Sequence, residues 1–292
     1  MFQVPVTFLY EFEHITDRMR PYIMAEFARY GAKHLVLSDT LISQIIGKCG
    51  LEDTLLQEMS DAGLSFCDAH APFGPVCDMN CPWREKRRMM IARLKLALEI
   101  CHYMKVDTIT IHLGNNRFAP GTSLTDEEHI AMMKESLSEL LPTAESLGIT
   151  ICIENIWCRL NTPDVLLRIK SCFPTPNLGF CYDAGHANLI TNGREFADGA
   201  ANKAWNMFGE TPDWDDPILE KMLPHIVNCH LHDNDGFEDS HKLCGKGNVD
   251  WKKVISLLKT APRLKNIQCE AISSKHAFSV REMIESTSAV LC

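Results

Sequence analysis

Residues 227–248 of the chain have the sequence VNCHLHDNDGFEDSHKLCGKGN, in which a strand pattern leads directly into a group of polar side chains. Val227, Cys229 and Leu231 alternate with polar residues, the period-two pattern of a β-strand whose two faces differ. The alternation stops at Asp233, where turn-forming residues begin, and a helical pattern follows. The segment therefore predicts a strand, a polar loop and a helix in that order.

The polar residues of this segment are typical metal ligands. Imidazole and carboxylate groups at the end of one strand suit a divalent ion that accepts nitrogen and oxygen donors, such as zinc, manganese or iron. The candidates here are His230, Asp239 and His241. A solvated acidic loop is the alternative for this segment taken alone, and the rest of the chain supplies the context.

The same strand-then-helix pattern repeats along the chain. Eight β-type runs are predicted, at residues 3–10, 34–39, 64–70, 107–114, 149–155, 178–184, 227–233 and 266–271. Amphipathic helical segments separate many of them, at residues 14–30, 51–62, 82–105, 126–147, 163–171 and 250–260. Eight such units without a break in composition predict an α/β fold with one domain over residues 1–292, a single (β/α)₈ TIM barrel. A doubly wound open sheet is the alternative, but no G-x-G-x-x-G follows any of these strands.

One segment, at about residues 189–217, holds more loop than a plain unit needs. It contains three glycines and the aromatic residues Trp205, Phe208 and Trp214. We interpret it as an insertion over the barrel mouth. Its aromatic side chains either stack on a substrate or partner or, as the simpler interpretation, pack against the body of the protein.

The length of the chain agrees with a barrel architecture. A chain of 292 residues is long for an ordinary domain but normal for a barrel. No apolar run approaches 18 residues and no signal peptide is evident, so we expect a cytoplasmic protein with no membrane partner. The formal net charge of -9 disfavours nucleic acid as a partner without excluding it, because local charge and bound cations decide the field over a site.

The 13 cysteines do not indicate a disulfide framework. Many lie inside apolar strand-like runs, where a free cysteine behaves as a small buried hydrophobic residue. No C-x-x-C occurs, and the close pair Cys77 and Cys81 has no second pair with which to form a zinc knuckle. We expect these residues to serve packing.

Side chains that can bind a metal or transfer a proton lie at the carboxyl ends of the predicted strands. Barrels of this type have their active sites at these ends. Buried carboxylates on converging strand ends would repel each other unless a cation lay between them. The strand-end positions therefore predict a bound divalent metal. The residues concerned, from the third strand to the eighth, are His70, His112, Glu154, Asp183 with His186, His230, and Glu270.

The order of these motifs resembles that of the xylose isomerase-like barrel superfamily, which includes sugar and sugar-phosphate isomerases and epimerases as well as endonuclease IV-type enzymes. The resemblance covers essentially the whole chain. It rests on the sequences DAHAP (68–72), IHLG (111–114), IENI (153–156), YDAGH (182–186), HLHD (230–233), DSH (239–241), GKG (245–247) and Glu270.

The resemblance implies specific roles for these residues. In the isomerase and epimerase branch one divalent ion would be held by Glu154, Asp183, His230 and Glu270, and the two Glu would also transfer the proton. His186, His112 and Lys246 would contact the substrate. In the endonuclease IV branch His70 and His112 would hold a second ion bridged by Glu154, and a third would be held by His186, Asp239 and His241. One to three ions, of Mn, Zn, Mg or Co, are therefore expected.

We expect a metal-dependent isomerase or epimerase that moves a proton next to the carbonyl of a small carbohydrate, with or without a phosphate. The alternatives are an endonuclease IV-like apurinic/apyrimidinic endonuclease, a keto-polyol dehydratase, and a non-catalytic sugar-binding barrel. Departures from the nuclease pattern include a loop after the second strand, residues 39–46, that lacks a basic residue for probing DNA. A Lys246 in place of the usual Glu is another. A homo-oligomer is left open.

Overall fold

Eight parallel strands close into a barrel in sequence order in the computed structural model, which describes residues 2–74, 77–114 and 124–292. Strand β1 pairs with β2 and with β8, so that Val6 lies beside Ile267 and the ring is complete. The strands are β1 (Val6–Phe8), β2 (His34–Leu37), β3 (Ser65–His70), β4 (Thr108–Ile111), β5 (Thr150–Glu154), β6 (Leu178–Asp183), β7 (Ile226–Leu231) and β8 (Asn266–Cys269).

Helices connect the strands on the outside of the barrel. The predicted single (β/α)₈ barrel is confirmed, and each predicted strand is present, although several are shorter because their polar ends belong to loops. The described α-helices are α1 (Arg20–Arg29), α2 (Asp39–Gly47), α3 (Leu51–Ala62), α4 (Arg84–Tyr103), α5 (Asp126–Leu147), α6 (Pro163–Ser171), α7 (Ala184–Thr191), α8 (Ala200–Asn206), α9 (Ile218–Met222), α10 (Trp251–Leu258) and α11 (Val280–Leu291).

Local sequence signals fix where the helices begin and end. Helix α5 begins with a capping box in which the Thr125 hydroxyl accepts from the Glu128 amide and the Glu128 carboxylate accepts from the Thr125 amide. It ends at Gly148, whose φ of 70° is the left-handed conformation that glycine adopts without strain. Strand β5 begins two residues after this glycine, at Thr150.

The loop predicted at residues 39–46 is wrong, because these residues form helix α2. The Ser38 hydroxyl caps the helix by accepting from the Leu41 amide, and Leu41, Ile42 and Ile45 are buried at helical spacing. Burial of this apolar face outweighs any tendency of the segment to form a loop. Residues 39–46 still contain no basic residue.

The segment at about residues 189–217 contains helix α8, and its aromatic side chains pack against neighbouring parts of the chain. The Trp205 indole donates to the Trp157 carbonyl at 2.8 Å, and the Arg159 guanidinium lies 3.9 Å from the centre of the Phe208 ring. Trp214 is partly buried against the main core. The placement of this segment over the barrel mouth remains a prediction.

The barrel interior contains a polar network below the mouth. The Asp68 carboxylate on β3 accepts from the Thr108 hydroxyl at 2.9 Å and from the Asn228 amide of β7 at 2.7 Å. Strands β3 and β7 are not neighbours, so this second bond crosses the interior. Burial raises the pKa of Asp68 to about 6.

All 13 cysteines lie in described residues and none forms a disulfide; most are buried, as expected for packing residues. No helix in the described part of the chain is both long and apolar enough to cross a membrane.

Candidate metal centre

The candidate ligands meet at the carboxyl end of the barrel. Glu154 and Asp183 are the last residues of β5 and β6, His230 is near the end of β7, and Glu270 directly follows β8. Because strand side chains alternate between faces, Asn266, Gln268 and Glu270 share one face of their strand, and that face is interior. Adjacent parallel strands then bring the terminal side chains together.

His230 lies at the centre of a group of three carboxylates. Its Nδ1 atom is 2.9 Å from Glu154 Oε1, 3.1 Å from Glu270 Oε2 and 3.7 Å from Asp183 Oδ2. Donor atoms around an ion with bond lengths of about 2.0–2.2 Å lie roughly 3 Å apart, so this spacing fits a divalent ion. The four side chains offer one nitrogen and up to three carboxylates to such an ion.

The second oxygen of Glu154 faces two further imidazoles. Glu154 Oε2 is 2.7 Å from His112 Nε2 and 3.8 Å from His70 Nε2. Although the nearer nitrogen is this close, Oε2 is a buried atom without a hydrogen bond among the described residues. Buried polar atoms are rarely left unsatisfied, so this oxygen fits a position that bridges to a cation held with His70 and His112.

A third group lies on the β7 side. Asp239 Oδ2 is 2.8 Å from His241 Nε2 and 3.7 Å from His186 Nε2. Asp239 Oδ1 is buried and has no hydrogen-bond partner in the described part of the chain. His241 itself has a φ of 51°, an uncommon conformation for a residue other than glycine.

Three of these histidines are oriented in the same way. Nδ1 of His70, His186 and His241 lies 2.9 Å from the backbone carbonyl of Ala71, Asn155 and Glu270, respectively. When Nδ1 donates to the carbonyl, the lone pair of Nε2 is left facing a carboxylate. This second contact, which fixes the ring and its tautomer, is characteristic of metal-binding histidines.

The charges of the centre are strongly coupled. Burial opposes the ionisation of Glu154, but His230 and His112 hold its pKa well below the ordinary value. Burial likewise opposes the protonation of His186, but Asp183 and Asp239 raise its pKa well above the ordinary value. The pKa of His230 is also raised against burial, by Cys181, Glu270 and Glu154. The centre therefore attracts positive charge, and imidazolium protons would compete with a metal cation for it.

The donor set and the unsatisfied buried oxygens fit divalent metal ions. The first group would hold one ion through Glu154, Asp183, His230 and Glu270. The second and third groups have the composition of further sites. All nine predicted metal ligands are thus brought together at one end of the barrel; their ligand roles remain predictions.

His232 lies among these groups and was missed. Its buried Nε2 is 3.2 Å from Asp183 Oδ2 and 3.7 Å from Asp239 Oδ1, and its ring stacks on His241 with 4.0 Å between ring centres. A signal for it exists in the sequence, because His230 and His232 are two residues apart and so share one face of the strand. The same ring explains why residue 185 is a glycine, since a Cβ atom on Gly185 would lie 2.0 Å from the His232 ring.

Lys246, predicted to bind substrate, is not placed with the others. It is exposed and does not line the cavity that the candidate ligands face. Gly247, at the end of the same turn, has no room for a side chain. A Cβ atom on it would lie 2.2 Å from the Asn234 carbonyl oxygen and 2.3 Å from the Asp233 carboxylate. The turn therefore packs on the loop after β7.

A cavity of about 510 Å³ opens above the centre. Its floor is formed by candidate ligands, including His70, Glu154 and Glu270. The other described residues of its wall are mainly apolar, aromatic, hydroxyl-bearing or acidic. They include Tyr10, Glu11, Glu13, Ser38, Asp39, Thr40, Phe73, Ile156, Trp157, Ile272 and Lys275.

Comparisons with known proteins agree on one architecture. A family model described as xylose isomerase-like TIM barrel matches residues 25–286. An uncharacterized protein of Methanocaldococcus jannaschii is 26% identical over 224 residues, which are 74% of this chain and 66% of that protein, so the match spans slightly less than two thirds of the relative. A D-tagatose 3-epimerase-like protein has a similar structure, with a TM-score of 0.75 and 20% identity over 98% of this chain and 95% of its own. The IolI protein with a bound zinc atom superposes with a TM-score of 0.71 and 16% identity, over 98% of both chains.

Proposed function

This chain belongs to the xylose isomerase-like TIM barrel family, and from that premise we propose that it catalyses a metal-dependent isomerisation or epimerisation of a small sugar or polyol derivative. The observation that carries the proposal is the pair of carboxylates, Glu154 and Glu270, that both lie within 3.1 Å of His230 Nδ1 and line the cavity. The similarity to a D-tagatose 3-epimerase-like protein and to the zinc-bound IolI protein supports it.

The reaction moves a proton from a carbon next to a carbonyl. A divalent ion held by Glu154, Asp183, His230 and Glu270 would supply electrostatic stabilisation of the negative charge that develops on the substrate oxygens. Proton transfer itself requires a positioned base and acid.

Glu154 and Glu270 are the groups that take and return the proton. They come from β5 and β8, so a substrate carbon above His230 lies between two carboxylates that approach from different sides. In an isomerisation, the Glu that accepts the proton becomes the acid and donates it to the adjacent carbon; in an epimerisation, the other Glu takes up a proton from solvent before it donates to the opposite face, and the first releases its proton to solvent. Their lowered pKa values hold both in the carboxylate form before substrate binds, so either can serve as the accepting base.

The cavity wall suits a carbohydrate. Tyr10, Phe73 and Trp157 offer flat apolar faces to C–H groups of a sugar ring, and the hydroxyl and carboxylate groups of Ser38, Asp39 and Thr40 offer hydrogen-bond acceptors to its hydroxyls.

The test is exchange of solvent deuterium into the substrate carbon. We expect metal-loaded wild type to incorporate deuterium into at least one sugar of an aldose, ketose and inosose panel. Glu154→Gln and Glu270→Gln should each lower the rate about a hundredfold to ten-thousandfold, because each removes a proton-transfer group. Metal content must be measured beside the rate. Glu127→Gln, on the exposed surface of α5, is the matched control and should retain the wild-type rate. Absence of exchange in every sugar would contradict the proposal.

The second candidate function is cleavage of DNA at abasic sites. The group formed by His186, Asp239 and His241 favours it, because a third metal position is implied by resemblance to the endonuclease IV branch. The net charge of -9 argues against a duplex as the ligand. Salt-sensitive nicking of an abasic duplex, without deuterium exchange into any sugar, would favour this second function.

A further inference from the structure

We propose that the substrate of this cavity carries no phosphate group, because Glu11 occupies the anion-binding position beside β8. The inference rests on the proposed function, which places a sugar in the cavity, and it assigns that sugar to the unphosphorylated class.

The loop after β8 presents hydrogen-bond donors of the kind that bind phosphate. In many barrels the loops after the seventh and eighth strands form a phosphate site. Here the Ser274 amide donates to Glu11 Oε2 at 2.9 Å, the Ser274 hydroxyl donates to Oε1 at 2.6 Å and the Ser273 hydroxyl donates to Oε2 at 3.3 Å. His14 Nε2 lies 3.5 Å from the same carboxylate.

The Glu11 carboxylate therefore occupies the position that a phosphate would take on these donors. Its side chain is 16% exposed and lines the cavity, whereas the two serines do not line it. The carboxylate stands between the cavity and the donors and uses both of its oxygens on them. A substrate phosphate would have to displace this carboxylate to reach the same groups.

The rest of that wall repels an anion. Glu13 and Asp39 line it, and Asp39 is partly buried, with its pKa raised by burial and by the nearby carboxylates of Glu13 and Glu270. Lys275 is the one Lys or Arg among the described lining residues. It is exposed, and its ammonium group donates to the Asp239 carbonyl at 2.9 Å. Sugar hydroxyls, in contrast, can donate to every one of these carboxylates.

The test uses calorimetry to compare inorganic phosphate binding by manganese-loaded wild type and three variants. Glu11→Ala should bind phosphate at least about tenfold more tightly than wild type, because it frees three donors, and charge-assisted hydrogen bonds are among the stronger ones. Glu11→Ala/Ser274→Ala should lose that gain. Glu13→Ala is the matched control: it removes a carboxylate of the same wall without freeing the Ser273 and Ser274 donors, and it should show a much smaller change.

Each outcome decides the inference. The proposal is overturned if Glu11→Ala gains no phosphate affinity, if Glu13→Ala gains as much, or if wild type already binds phosphate through Ser274. It is also overturned if a sugar phosphate exchanges its proton faster than the matching free sugar. Phosphate that binds the metal contributes equally to all four proteins. Since the binding assay needs no turnover, a protein that exchanges no sugar proton would refute the proposed function alone.

Discussion

His232 is placed where the candidate ligand groups meet. Its Nε2 faces Asp183, from the first group, and Asp239, from the third, while its ring rests on His241. Asp183 is also held from the other side, since its Oδ1 accepts from the His186 amide and caps helix α7. His232 thus helps to fix which oxygen of Asp183 faces the centre.

This position leads to a prediction about metal affinity. His232→Asn removes the link between Asp183 and Asp239, and loss of such an orienting contact typically weakens metal binding about tenfold to a hundredfold. Competition with a chelator measures the affinity, and the absorption spectrum of the cobalt-loaded protein reports the ligand geometry. His129→Asn is the control, because His129 is equally buried but lies on α5. Equal affinities and spectra for wild type and His232→Asn would rule the role out.

Between β7 and α10 a loop carries two candidate ligands and is fixed by one carboxylate. Asp233 is fully buried, and its oxygens accept from the amides of Asn234, Val249 and Gly245 and from the Trp251 indole, at 2.8–3.1 Å. The bridge between Asp233 and Lys242 then holds the intervening residues, which include Asp239 and His241, over the barrel end. The loop is therefore a rigid platform for the third group.

Removal of this carboxylate should destabilise the protein. Asp233→Ala leaves four donors unsatisfied, two of them from the turn after His241, and we expect a loss of about 3 kcal/mol or more in the free energy of unfolding. Denaturant titration measures it. Asp235→Ala is the control, since Asp235 is exposed and pairs with Lys242 on the surface, where an ion pair contributes about 0–1 kcal/mol. Similar losses in the two variants would contradict this account of the loop.

Across the whole molecule, metal binding is coupled to protonation. The pKa values of His186 and His230 are raised in the folded protein, so without metal these rings keep their protons to a higher pH than free histidine does. Their contribution to stability is complete below the unfolded pKa of about 6.5 and is lost as the pH rises through the folded pKa. A bound metal ion requires the unprotonated nitrogen, so its affinity increases over the same range.

As the pH rises, the metal-free protein loses the stabilisation from its imidazolium protons and the affinity for metal increases. The stabilisation by metal should therefore grow with pH. We expect the rise in Tm on adding manganese or zinc to be larger at about pH 8 than at about pH 6. Where the free metal is in hundredfold excess over Kd, the free energy of unfolding should rise by about 2.7 kcal/mol. Thermal unfolding with metal and with chelator, at matched pH values, measures it. A rise in Tm that does not change with pH would show that no imidazolium proton is displaced.

The sequence by itself determined the eight strand-helix units, many helix ends and the chemical side chains at the strand ends. These features depend on local periods, on capping residues such as Thr125 and on glycines such as Gly148, which neighbouring residues dictate. Residues 39–46 show the limit of this reasoning. They were predicted as a loop because the segment begins with polar residues, although Leu41, Ile42 and Ile45 form the buried face of a helix.

Only the tertiary structure decided which atoms face each other. The spacing of His230 Nδ1 and three carboxylates, the place of His232 and the exposure of Lys246 follow from barrel closure and loop packing. Glu11 and Ser274 are 263 residues apart in sequence and meet because β1 pairs with β8. A contact of that kind has no local signal, since its free energy arises when the ring of strands closes.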